Sequence, residues 1–563
     1  MPRIHDIAVA ELELDGPHGW ELRPVPGGPP PLPGRNDGRD RQVFALVRFR
    51  GRPVGTLLGR VRAGDDPAAA LAAQAADRIT LPGGPDPQAW GPEGRNSHVW
   101  DPQAQDPYAW DPHGRYPQAW DPYAWDPQGG YPQAQDPQGR YPQGRYPQGR
   151  YPYAWDPQGR YPQAQDPQGR YPYAWDPQGR NPQAQDPQAQ DPELRQQGPG
   201  PGRDPDGERF VEPPLTTVVV ATRERPGQLA RALDSLLAQD HPDFEVVVVD
   251  NAPATTATRD LVAAEYAARG VRHVTEPVPG LAAAHNRGVA VAAAGILAFT
   301  DDDVIADPHW LTALTTPFAA DPRIGCVTGL ILPARLTTPA QILLESHGGF
   351  AKGFAARQYD PARPPADEPL FPFTAGRFGS GANMAFRAGP LRAVGGFDPA
   401  TGTGTPARGG DDLYAFVRVL AAGHQLRYTP DALVWHHHRE RWQDLRDQAY
   451  GYGAGLTACL TALLVRHPAL LPALLARLPR GLAHARAMTA SRTVAPGDLP
   501  GRLLPGERTG FGGGGALGAH DARSHPWPRH LSRLERRGML YGPIGYVRAR
   551  HRVRSLPLPW ESR

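Results

Sequence analysis

Three aspartates stand side by side at positions 301–303, directly after the apolar run ILAFT. Adjacent carboxylates repel one another, so a chain that ends a buried strand on three of them calls for a cation to offset the charge. In an extended segment alternate side chains point the same way, which lets Asp301 and Asp303 present oxygens to one Mg2+ or Mn2+. A second use suits the same acids: capping a helix near Asp307-Pro308, where the helix dipole favours negative charge. Another acidic pair, Asp411-Asp412, follows Gly409-Gly410 and reads as the first turn of a helix, again favoured by the dipole. His436, His437 and His438 end the strand-like run YTPDALVW, and alternation puts His436 and His438 on one side. They read either as partners of a charged centre, His436 before His438, or as an exposed basic turn. No cysteine or spaced histidine set accompanies them, so a zinc site is not expected.

Acids so placed need elements to hold them. After the GPGPGRDPDG hinge, strand-like and helix-like segments alternate. LTTVVVATRE is an apolar β-branched run; Pro226 then starts a helix with Leu229, Leu233, Leu236 and Leu237 on its apolar face, ended by His241-Pro242. FEVVVVDNA is a buried strand, 256–269 a helix stopped by Gly270, and VRHVTEP a short strand. LAAAHNRGVAVAAAG is a helix and ILAFTDDD a fourth strand. Right-handed crossovers turn this order into a parallel sheet buried on both faces. Ligands of such sheets sit at the carboxyl ends of the strands, where Thr222, Asp250 and the three aspartates fall.

In chain order the sequence then carries VVVATRERP, VVVDN, PGLAAAHNRGV, FTDDDV followed by DPHWL, GSGANMAFR, GGFD, GGDDLYAFVRV and VWHHHR. With these eight pieces on the expected elements, the stretch from about Leu215 to Arg439 resembles family 2 glycosyltransferases of the GT-A fold. The resemblance implies an α/β domain with a Rossmann-like, mostly parallel sheet and helices on both faces. It implies an inverting, metal-dependent transfer of a sugar from a nucleotide-sugar donor to a hydroxyl of a glycan or lipid-linked acceptor, in cell-envelope or exopolysaccharide synthesis.

Residue by residue, the resemblance assigns Thr222, Arg223, Arg225, Asp250 and Asp302 to the nucleotide, Asp250 accepting hydroxyl or imino protons. Asp301, Asp303 and His436 hold Mg2+ or Mn2+, which neutralises the departing diphosphate. Gly379, Gly381 and Asn383 line the sugar pocket, the glycines allowing close backbone approach. Asp412 is the catalytic base. Asp411 stands beside it where the family more often has glutamate, and Arg418 lies seven positions beyond Asp411 as the pattern expects. His285 occupies a position where the family commonly has arginine, which leaves open whether it or Arg287 meets the donor phosphate; Arg287 is assigned to the donor pocket. Two further readings use the same motifs: a lapsed GT-A protein that binds nucleotide or glycan without turnover, and a nucleotidyltransferase with a similar sheet and metal acids.

The rest of the chain frames this segment. Its 563 residues suffice for about three or four domains, and 60 basic against 58 acidic side chains argue against a general polyanion binder, so no nucleic-acid partner is expected. Lys352 is the sole lysine. Mean hydropathy is -0.52, and 68 prolines with 64 glycines exclude a chain packed throughout. Residues 1–82 read as a small α+β domain, with strands IAVAELEL and VFALVRFRG, a GRPVG turn and a helix over 67–79. From Pro102 to Pro192 a proline recurs every fifth residue, which blocks helical and sheet ladders alike. A disordered repeat linker over 83–212 follows, bearing seven of the 13 tryptophans and 11 of the 19 tyrosines. The catalytic domain is placed at 213–445 and a helical basic extension at 446–563, which either packs on that domain or lies on an anionic membrane surface. Cys326 and Cys459 sit in apolar stretches as buried thiols. The N-terminus has acids where a signal peptide needs bases, and no apolar run approaches the ~20 residues of a membrane span. A cytoplasmic location, peripheral on the inner face of the membrane if the tail binds lipid, is the expectation.

Overall fold

A computed structural model describes residues 7–16, 19–26, 40–76, 78–79, 213–477, 479 and 528–554. The repeat and its expected disorder lie outside the described residues. Those described fall in one compact unit, drawn from 1–100 and 211–563.

The first four strands, β1 (Ala8–Gly16), β2 (Gly19–Pro24), β3 (Arg41–Phe49) and β4 (Arg52–Val61), form a sheet in the order β2-β1-β3-β4. The turn sits at Arg50-Gly51, both at positive φ, so of the GRPVG turn Gly51 belongs to it and the residues from Arg52 on begin β4. Pro53 is tolerated there because β4 is an edge strand. Alternation along β3 buries both faces. Val43, Ala45 and Val47 pack under helix α1 (Pro67–Ala76), while Phe44 and Leu46 join Ile305, Leu330, Leu332, Leu433 and Trp435 of the larger sheet. Arg48 continues that second face: its guanidinium is buried between Glu11 and Asp307, at 3.0 and 2.5 Å. The small sheet is thus fastened directly onto the larger one.

The larger sheet holds β5 (Thr216–Thr222), β6 (Phe244–Asn251), β7 (Val271–Glu276), β8 (Ile296–Asp301), β9 (Val304–Ala306), β10 (Ile324–Pro333), β11 (Arg357–Tyr359), β12 (Asn383–Arg387) and β13 (Gln425–His436). Its order is β11-β13-β10-β12-β8-β5-β6-β7, with β9 paired to β13. Strands β7, β6, β5 and β8 are parallel, as their apolar runs and crossovers predict; β12 then runs antiparallel between β8 and β10. Helices α2 (Pro226–Leu236), α3 (Ala257–Leu261) and α4 (Leu281–Val291) make the crossovers. The α3 segment continues through irregular turns to Arg269 and stops at Gly270, φ 86°. Valines of β5 and β6 face opposite ways into two apolar clusters, so the sheet is covered on both sides.

Helices α5 (Trp310–Ala320), α6 (Pro339–Gly348), α7 (Ala388–Ala393) and α8 (Asp411–Ala421) complete the domain, followed by α9 (Trp442–Arg466) and α10 (Arg529–Val553). The last two cross at a glycine seam. A Cβ on Gly453 would lie 1.9 Å from the Glu535 carbonyl oxygen, and one on Gly538 would lie 2.1 Å from that of Tyr450. Arg466 of α9 and Tyr546 of α10 both reach Asp398 of the GGFD segment, at 2.7 and 3.0 Å. The described C-terminal helices therefore pack on the domain. Cys326 and Cys459 are free and buried, and among the described residues no single helix is long and apolar enough to cross a membrane.

Candidate active site

Asp301 ends β8, and Asp302-Asp303 turn the chain into β9 rather than into a helix. The helix-cap reading of these acids therefore fails: α5 begins only at Trp310, and near it Asp307, not the triplet, accepts the His309 N–H. Each acid of the triplet has its own set of partners, with Arg225 shared between Asp302 and, at 3.4 Å, Asp303. Asp302 takes the Thr222 hydroxyl at 2.6 Å and Arg225 at 3.1 Å, and burial raises its pKa. Asp303 lies 3.3 Å from His436 Nε2; burial pushes its pKa up, but His436, Arg225 and Arg439 together outweigh burial and hold it low. The Asp301 carboxylate has no hydrogen bond or ion pair with a described residue, and burial followed by the charge of Asp303 pushes it up to about 7, against a smaller pull from His436. One ligand atom each from Asp301, Asp303 and His436 converge within 4.8 Å of one another. Two carboxylate oxygens and an imidazole nitrogen, with an under-compensated acid among them, fit Mg2+ or Mn2+.

The histidines form a relay that sequence reasoning only half found. His436 Nδ1 and His438 Nδ1 are 3.1 Å apart, and His438 Nε2 lies 2.9 Å from the buried Glu345 carboxylate on α6. Burial lowers the pKa of His438 and favours its neutral form. Its Nε2–H then donates to Glu345 and its Nδ1 accepts from His436. At His436 burial lowers the pKa, but the charge of Asp303 outweighs burial and raises it, so that the His436 Nε2–H faces Asp303. No motif pointed to Glu345, which lies 93 residues from its partner.

The GGDD segment opens α8. His285 Nδ1 lies 3.2 Å from Asp411 Oδ2 with both side chains buried, and His285 packs on the rings of Phe299 and Phe397. His285 thus faces Asp411 inside the domain, while Arg287 is half-buried with an Nε that has no hydrogen-bond partner among the described residues. Asn286 next to it clasps the GGFD backbone, donating to the Phe397 carbonyl at 2.7 Å and accepting its N–H at 3.0 Å. Asp412 accepts the Gly381 N–H at 2.9 Å and the Leu413 N–H at 2.8 Å. Burial, then the charge of Asp411, pushes it up to about 6. Lys352 feels the charge of Asp412, and burial lowers its pKa to about 8.

Two assignments to the sugar pocket need correction. The Asn383 side chain is fully buried; its amide donates to the Leu330 and Ala432 carbonyls and its oxygen accepts the Trp310 indole N–H. It ties β12 to the bulge where β13 passes Pro430, so its polar capacity is spent inside the sheet. Gly379 is buried with φ 157°, and a Cβ there would lie 2.5 Å from the Thr328 side chain, a packing demand rather than a sugar contact. Gly381 does reach the site, through its N–H on Asp412. At the nucleotide end, Thr222 pairs in register with Asp250, whose Oδ2 lies 3.3 Å from His273 Nε2. Asp250 Oδ1 is buried without a partner, and burial raises the group's pKa. Arg223 is exposed. Glu224, at φ 56°, binds the Ala254 and Thr255 N–H groups and so shapes the loop after β6.

The model of the glycosyltransferase-like family 2 matches residues 213–450. Residues 213–450 form a family 2 glycosyltransferase domain. Its sheet is parallel through four strands and mixed beyond them. A pre-mycofactocin glycosyltransferase from Mycobacterium tuberculosis is 29% identical over 253 residues, 45% of this chain and 48% of that protein. A validoxylamine A glucosyltransferase from Streptomyces hygroscopicus is 36% identical over 124 residues, 21% of this chain and 29% of that one. The chain thus spans about half or less of the length of these curated relatives. Among solved structures, a mannosyltransferase from Pyrobaculum calidifontis in complex with GDP-Man and Mn2+ is 20% identical, with 60% of this chain and 87% of that one covered and a TM-score of 0.37.

Proposed function

We propose that the glycosyltransferase domain moves a sugar from a nucleoside-diphosphate sugar to a hydroxyl of a glycan or lipid-linked acceptor, inverting the anomeric carbon. One observation carries the reading. Asn383 pairs with Thr300, so the loop before β12 runs past Asp301, and Gly381 in that loop donates to Asp412. The metal-type cluster and the α8 acid therefore flank one short stretch of backbone, close enough for a single reacting centre.

Asp301, Asp303 and His436 would hold Mg2+ or Mn2+ in place of the His436 Nε2 proton, with His438 and Glu345 orienting the His436 ring. When bound, the ion supplies charge neutralisation for the departing diphosphate. Asp250, with one oxygen unpaired, suits a base or ribose donor, and Arg287, with an unpaired Nε, suits a donor phosphate. Thr222 and Arg225 both donate to Asp302, and the three shape the nucleotide end between these groups. Asp412 removes the acceptor proton as the acceptor oxygen bonds to the anomeric carbon. The bond to the diphosphate breaks with its electron pair on the phosphate oxygen, and attack from the opposite face inverts the centre. The GSGAN loop holds Asp412 in place through the Gly381 N–H.

The test is a screen of nucleotide sugars for Mn2+-dependent release of nucleoside diphosphate by the full chain, with Asp303→Ala and Asp412→Asn beside it. The reading expects release by the parent and its loss in both variants; release that persists in both contradicts it.

A further inference from the structure

The underside of α10 is fixed by the glycine seam with α9, so its outer face is a defined surface. That face carries Leu540, Ile544 and Val547 at helical spacing, 80%, 52% and 48% exposed, with exposed Pro543 between them. Such exposure is costly in water: these are among the largest apolar side chains left uncovered in the described chain. Around them on the same helix stand exposed Arg533, Arg536, Arg537, Arg548, Arg552 and Arg554. None of the six makes an ion pair with a described residue, although charges over the whole chain nearly balance. Arg548 lies over the Tyr541 ring, 5.9 Å from its centre, and among the described residues Arg536 bonds to its own helix backbone at Ser532.

We infer that the exposed face of α10 docks on an anionic lipid surface, with Leu540, Ile544 and Val547 entering the headgroup boundary and the arginines on lipid phosphates. The charge pattern selects this occupant. A second copy of the same helix would set six uncompensated arginines against six more, whereas an anionic bilayer supplies negative charge around an apolar interior. Arginine further suits the role because its planar fork matches phosphate oxygens and its stem lies along apolar surface. The helix lies in the interface plane rather than crossing it, since its opposite side is already packed on α9. The inference does not depend on the reaction proposed above, because binding needs no turnover.

The experiment is sedimentation of the full chain with vesicles of phosphatidylcholine, with and without phosphatidylglycerol, at low and high salt. A Leu540→Asp/Ile544→Asp variant and an Arg533→Gln/Arg536→Gln/Arg537→Gln variant run beside it. The parent is expected to pellet with the anionic vesicles and to stay in solution with phosphatidylcholine alone, and each variant to bind roughly ten-fold or more weakly. All substituted side chains are exposed, and circular dichroism checks that the fold is kept. Three results overturn the proposal: a parent that ignores anionic vesicles, variants that bind as the parent does, or a parent dimer that the apolar variant converts to monomer without any vesicle binding.

Discussion

The two acidic clusters of the catalytic domain look alike in sequence and are built differently. In Asp301-Asp302-Asp303 the strand end sends neighbours to opposite sides: Asp302 is tied to Thr222 and Arg225, while Asp301 and Asp303 face His436. In Asp411-Asp412 the first helical turn does the sorting, with Asp411 turned inward to His285 and Asp412 outward to the Gly381 N–H. In each cluster one acid serves the scaffold and leaves its neighbour under-compensated, with a pKa pushed up to about 7 at Asp301 and about 6 at Asp412. Adjacent acids thus divide between holding the fold and doing chemistry, and the division can be broken one side chain at a time.

The largest effect is expected from Asp412→Asn, which leaves the shape and removes the base: kcat should fall by about a hundred- to ten-thousand-fold. Asp411→Asn should cost much less, and steady-state kinetics on both separates the two roles. Equal losses would erase the distinction drawn within this pair. Next comes the pH profile. The base must be ionised, so with its pKa raised to about 6 activity should be full above that pH and fall as pH drops through it. Asp411→Asn removes the neighbouring negative charge that helps raise this pKa, and the acid limb should therefore move to lower pH. A limb that stays put would show that burial alone sets it. The smallest effect belongs to neither cluster but to the helices behind α8. Gly538→Ala forces a Cβ into the Tyr450 carbonyl and should destabilise the protein by about 1–3 kcal/mol, read as a lowered Tm, with turnover per folded molecule retained.

The parallel half of the sheet was legible because β5, β6 and β8 are buried apolar runs, valine-rich in the first two, and β5 to β8 appear where FEVVVV and its companions put them. In the other half only β13 showed, as the strand-like run YTPDALVW. β10 is interrupted by Gly325 and Gly329, whose reason is remote: a Cβ on Gly329 would strike the Ala432 carbonyl and the Asn383 amide. Asn383 was legible as part of a motif but not in its use, since an amide that suits a sugar suits two backbone carbonyls as well. His285 and Glu345 took their roles from partners 126 and 93 residues away, contacts that no periodicity encodes. The docking of the N-terminal sheet likewise rests on Phe44, Leu46 and Arg48, which alternation marks as a buried face without saying against what.

The central claim is a divalent ion held by Asp301, Asp303 and His436, and Mn2+ titration of the full chain, followed by electron paramagnetic resonance, tests it most directly. One ion per chain is expected, with affinity falling as pH drops through about 7, where Asp301 takes up its proton, and with binding lost in Asp303→Asn and His436→Ala. Unchanged stoichiometry and affinity in both variants would contradict the account.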